Sequence, residues 1–192
     1  LYRNDRIRQQ LVVNFTRYGP ISLFLFGNDP EGVTARAIYQ HWLGGEVAVN
    51  EAASDNITKL MTDYSFGVPS DFTTLFHARH HHHHHHNVYQ FEFTYRGQHT
   101  STHFMKPIDV GKHWVTHSDD LLEIMTKMWV NFVATGNPTP DESLGFKWEA
   151  VTEEGCLQHL VIQPDPVMMS DQRAEARDFL ASLLPNIDYL HD

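Results

Sequence analysis

His117 stands in Trp114-Val-Thr-His-Ser-Asp-Asp-Leu121, a single histidine in a short loop just ahead of two acids. An imidazole with an ordinary pKa of about 6.5 can take a hydroxyl proton and return it to a leaving alcohol at neutral pH. That is general-base chemistry for acyl transfer, and it needs a carboxylate on the far side of the ring to fix the tautomer and stabilise the imidazolium. Asp119 and Asp120 are too near in sequence to point easily at the outer nitrogen while a helix starts beneath them. Asp120 with Glu123 instead makes a D-x-x-E pattern that caps a helix start, where acids also favour the helix dipole. The pair is therefore read as capping and not as catalytic.

Two other features carry metal- or redox-active side chains. His80 to His86 form an unbroken run, preceded by His77. A specific metal centre needs fixed spacing on a rigid element and supporting outer contacts, which a homopolymer between a helix and a strand does not supply. The run predicts adventitious affinity for Ni²⁺ or Zn²⁺ and no dedicated metal site. Cys156 is the one cysteine, so no disulfide forms within the chain, and it reads as a small buried thiol in a strand.

The elements that must position His117 follow from periodicity. Ile7, Leu11, Phe15 and Tyr18 share a helical face, with Asn4 and Asp5 as caps and Gly19-Pro20 as the expected stop. A second helix is predicted over 34–43, ended by Gly44-Gly45. A third runs from about 54 to 64, with Ile57, Leu60, Met61 and Tyr64 on one side, and a fourth from 70 toward the histidines. The period then changes to two: Tyr89, Phe91, Phe93 and Tyr95 alternate with Gln90, Glu92 and Thr94, a strand with one apolar face. A helix carrying Met125, Met128, Trp129 and Phe132 follows the His117 loop and stops at Gly136, its stripe expected to cover a sheet. A strand over 157–162, ended by Pro164-Asp-Pro166, and a helix over 171–184 complete the order.

Trp114 to Leu121 and Met125-Thr-Lys-Met-Trp-Val-Asn-Phe-Val-Ala-Thr-Gly-Asn-Pro-Thr-Pro140 together resemble the C-terminal part of type-B carboxylesterases, the cholinesterase-like branch of the α/β-hydrolases, with an arthropod-like member as the expectation. Ile38 to Gly44, Leu60 to Phe66, Val88 to Phe93 and Phe179 to Pro185 are similar to that family's segments in the same order. The resemblance implies an α/β fold in which residues 1–192 are the C-terminal segment of one hydrolase domain, with helices covering a mostly parallel sheet. It implies that His117 is the histidine of a Ser-Glu-His triad acting on a small-molecule carboxylic ester, without a cofactor. In α/β-hydrolases the chain order is nucleophile, acid, histidine. Neither G-x-S-x-G nor an HGGG-type oxyanion loop occurs in the 192 residues, so both are expected in an upstream N-terminal half of the same protein. The chain by itself is then expected to be inactive. A second reading stays open: a non-catalytic adhesion protein of the neuroligin or neurotactin kind, separable by whether the upstream sequence carries the serine.

Two departures from the family pattern bear on His117. Trp114 stands where a glycine usually precedes the histidine by three residues, and Leu121-Leu122-Glu123 runs directly into the next helix where a variable loop is usual.

Composition narrows the partners. A formal charge of −10 argues against non-specific nucleic-acid binding, which requires a basic surface. A hydrophobic content of 41% suits a globular core, yet no stretch approaches the roughly 18 apolar residues of a membrane span. Asn14-Phe-Thr and Asn56-Ile-Thr are N-glycosylation sequons. Beside a family that is frequently secreted, they lead to the expectation of a secreted or extracellular glycoprotein.

Overall fold

Asn14 breaks the first helical stretch. Its φ of −132° and ψ of 62° leave the helical region, so α1 (Asp5–Val13) and α2 (Phe15–Ser22) are separate helices. Asn4 caps the first, its side chain accepting from the Ile7 N–H at 3.1 Å. Gly19-Pro20, the expected stop, lies inside α2. A proline forfeits one backbone bond and crowds the preceding turn, and α2 outlasts Pro20 by only two residues.

The computed structural model describes residues 4–79, 87–95, 123–152 and 157–184. They belong to two compact units, Leu1–Ser70 with Arg173–Asp192, and Asp71–Gln172.

The first unit is helical. After α2, Leu23 and Leu25 turn inward while Phe24 and Phe26 stay exposed, with φ of 57° and 42°. Buried Asp29 accepts hydrogen bonds from the N–H groups of Thr34 and Ala35, at 3.2 and 2.8 Å, and so tethers the start of α3 (Val33–Leu43). Gly32 precedes that helix at φ 69°, and a Cβ there would lie 3.0 Å from the Thr16 Cα. Gly44 closes α3 at φ 74°, as the sequence predicts. From α4 (Ser54–Thr62) the chain passes through a π-helical turn, Asp63–Gly67, directly into α5 (Val68–Arg79). The third and fourth predicted helices are therefore continuous, and the fourth begins earlier than expected. Asp63 is buried at the junction and accepts from Trp42 Nε1 at 3.0 Å and Lys59 Nζ at 2.5 Å. Phe179 of α7 (Ala174–Leu183) stacks on His41, with ring centroids 4.0 Å apart. Tyr39 is fully buried, and its hydroxyl meets Ser22 Oγ at 3.0 Å. Burial pushes its phenol above the usual range, partly offset by that Ser22 bond, which keeps it a neutral hydroxyl.

The second unit holds the sheet. β1 (Phe91–Phe93) pairs in parallel with β2 (Gln158–Ile162), and β2 pairs antiparallel with β3 (Val167–Ser170) across the turn containing Pro164-Asp-Pro166. Among the described residues the sheet is mixed, with one parallel and one antiparallel pair, where a mostly parallel one was expected. Helices lie on both faces. Met125 and Met128 of α6 (Glu123–Thr135) pack with Leu160, Ile162 and Trp148, joined by Tyr89 and Phe93. Side chains alternate across a strand, so Gln90 points the other way and meets Asp71 of α5.

The expected apolar stripe of α6 is only half buried. Met125 and Met128 are 1% and 0% exposed, whereas Trp129 and Phe132 are 50% and 45% exposed. Among the described residues only Met125 and Met128 of this stripe belong to the buried cluster with Leu160 and Ile162. The strand has a similar correction: Phe91 is 39% exposed although Tyr89 and Phe93 face the core, and Gln90, expected on the polar side, is buried.

This packing separates adjacent apolar positions energetically. Met128→Ala should destabilise the second unit by roughly 2–5 kcal/mol, and Val133→Ala should stay within about 0.5 kcal/mol. Denaturant unfolding of both variants checks this, and equal losses would contradict the assignment of the buried face.

Candidate functional site

His117 lies outside the described residues, within 96–122, the stretch between β1 and α6. Asp119, Asp120, Cys156 and His80 to His86 also lie outside them. What the structure shows is how the two ends of the His117 stretch are held. At the β1 end, Thr94 donates its backbone N–H to the Ile162 carbonyl at 3.1 Å. At the α6 end, Met125 and Met128 sit in one cluster with Leu160 and Ile162. Both ends are thus tied to the same strand, β2.

Behind β1 lies a buried polar layer. Gln90 Nε2 donates to Asp71 Oδ1 at 2.8 Å, and both residues are buried. The Gln90 carbonyl accepts from Leu160 N–H at 2.9 Å and from Trp148 Nε1 at 3.1 Å. Trp148 is held in turn by its own N–H, which donates to Thr139 Oγ1 at 3.0 Å. Helix α5, strand β1, strand β2 and the segment after α6 therefore meet at one residue, Gln90. Its Oε1 has no hydrogen-bond partner among the described residues. Periodicity placed Gln90 on a solvent face. Only its position between aromatic residues in a strand flanked by helices could have shown that it would be buried.

A model of the carboxylesterase family matches residues 2–180. The chain belongs to the carboxylesterase family. Comparison with curated proteins gives no match. Membership implies the α/β-hydrolase fold and hydrolysis of small-molecule carboxylic esters, and the helix-sheet-helix layering of the second unit agrees with an α/β architecture.

This carboxylesterase chain has another buried histidine that the sequence did not single out. His159, on β2, is 3% exposed, with Nε2 3.6 Å from Glu92 Oε2 on β1. A ring enclosed within a sheet cannot meet an ester, and the distance exceeds a hydrogen bond. The pair is a cross-strand contact. Among the described residues no group of histidines, cysteines and acids could hold a metal ion, and no helix is long and apolar enough to cross a membrane. His77 is exposed on α5 beside Phe76. Both sequon asparagines are exposed. Asn14 sits between α1 and α2 with no side-chain capping bond, and Asn56 lies on α4.

The Gln90–Asp71 contact has a pH signature. Gln90→Glu would bury a carboxyl against Asp71, raising its folded pKa above the unfolded value of about 4.3. The folded state would then hold the proton more tightly, so the variant's stability should fall as pH rises from about 4.3 through that raised value. Unfolding at pH 4 and pH 7 should show the larger deficit at pH 7, whereas a deficit independent of pH would mean that the carboxyl escapes to solvent.

Proposed function

We propose that His117 is the general base of a Ser-Glu-His triad in a secreted carboxylic-ester hydrolase, with the serine, the glutamate and the oxyanion loop supplied by an upstream part of the same polypeptide. The observation that carries this reading is the family match over residues 2–180, combined with a Val-Thr-His-Ser-Asp-Asp-Leu stretch and no serine elbow in 192 residues. His117 takes the serine proton as the hydroxyl attacks the ester carbonyl. It returns that proton to the leaving alkoxide, and then activates the water that releases the acid. The imidazolium formed in each half-reaction is stabilised by the triad glutamate, and the tetrahedral oxyanion by backbone donors on the upstream loop. No step calls for a cofactor.

The two ends of the stretch are tied to β2, which fixes where the loop that carries the general base begins and ends. The exposed sequons support the secreted route: Asn14 and Asn56 can both carry a glycan without disturbing a buried contact.

In the full-length protein, His117→Ala should lower kcat by roughly 10³ to 10⁶, because the base is lost while the oxyanion hole remains. Asp120→Asn should cost only about 1 kcal/mol of helix-start stability. Steady-state hydrolysis of a p-nitrophenyl ester checks the first and denaturant unfolding the second, and near-normal turnover in the His117 variant would remove His117 from the triad. On expression through a secretory pathway, Asn14→Gln and Asn56→Gln should each shift the secreted protein by one glycan on a gel. Unchanged mobility for both would argue against the glycoprotein part of the reading.

A further inference from the structure

A cleft of about 280 Å³ in the first unit is lined by Val12, Phe15, Arg36, Gln40, Glu46 and Val47. Arg36 and Gln40 are one helical turn apart on α3 and share a face. The Arg36 guanidinium lies over the Phe15 ring, 4.7 Å from its centroid. Such stacking uses the face of the guanidinium and leaves its N–H edge free to donate. Glu46 follows α3 and lines the same cleft, yet it forms no ion pair with Arg36 within 4.0 Å. Among the described residues neither Arg36 nor Glu46 has an ion-pair partner, so the cleft presents a cation, an anion and the Gln40 amide, with Val12, Phe15 and Val47 completing its lining.

We propose that this cleft binds a small zwitterion of the α-amino acid class with an apolar side chain. Its carboxylate is taken by the Arg36 fork, its ammonium by Glu46, and its side chain by Val12, Phe15 and Val47, with Gln40 bonding to either polar group. A lone anion fits less well, since Glu46 repels it and the chain already carries a net charge of −10. A lone ammonium ion meets Arg36. At about 280 Å³ the cleft is just below the usual range of about 300–1,000 Å³ for small-molecule pockets, a volume that suits a ligand of amino-acid size. The proposal does not depend on the esterase reading.

The test is calorimetric titration of the full-length protein with leucine, 4-methylpentanoate and 3-methylbutylamine. Leucine should bind, and each singly charged analogue should bind at least about tenfold more weakly, having lost one charged hydrogen bond. Arg36→Met and Glu46→Gln should each weaken leucine binding roughly ten- to a hundredfold. Glu46→Gln should also tighten 4-methylpentanoate, whose repulsion it removes. Arg17→Met, which removes another aromatic-stacked arginine that does not line the cleft, should leave all three unchanged. Arg36 and Glu46 are exposed, so unchanged thermal melts verify that the variants fold. Absence of leucine binding, leucine binding unaffected by Arg36→Met, or 4-methylpentanoate binding as tightly as leucine would each overturn the proposal.

Discussion

The pairing of β2 with its neighbours is the constraint on which the second unit depends. Through its backbone it fixes β1 in parallel register, Phe91 opposite Leu160 and Phe93 opposite Ile162. Through the side chains of Leu160 and Ile162 it seats α6. One strand thus uses its edge to hold the chain entering the His117 stretch and its face to hold the chain leaving it. The two attachments differ in kind: backbone bonds specify position along the strand, whereas apolar packing is less directional and specifies depth. A stretch held by both can vary in sequence without losing its two end points.

The opposite face of β1 follows another rule. Gln90 is buried where α5 lies behind the strand, so its polar groups have to find partners inside the protein. Gln90 does so with its Nε2 and its backbone carbonyl, and Asp71 and Trp148 are positioned to meet them. Such bonds contribute modest net stability but are costly to break singly, so the layer specifies how α5 and the segment around Trp148 meet the strand more than it strengthens the contact.

Two glycine-ended helices were legible in the sequence. Gly44 and Gly136 adopt the left-handed conformation that their places after apolar periods imply, because that conformation is a local property of the backbone. What escaped was decided by neighbours. The exposure of Trp129 and Phe132 depends on which side of α6 meets Leu160 and Ile162. The burial of Gln90 depends on a helix lying behind the strand. The continuity of α4 with α5 depends on a π-helical turn whose buried Asp63 is bonded by Trp42, 21 residues upstream. His117 was singled out through its resemblance to a family pattern and its place before an expected capped helix, and it lies outside the described residues. Periodicity could not reveal His159 as a buried residue, since a histidine among apolar strand residues carries no sign of which face will be covered.

Gly32 shows how strictly one position can be fixed without touching chemistry. Its backbone angle disfavours any side chain, and the space a Cβ would enter is taken by the backbone of Thr16. These are independent prohibitions, and repair of one leaves the other in force. A smaller residue at 16 gives no relief, because the obstructing atoms belong to the main chain and persist in every amino acid. Among descendants of this chain, position 32 should therefore drift only together with a rebuilt loop, never through a compensating side-chain change, making it a marker of backbone inheritance independent of whether the enzyme's activity is retained.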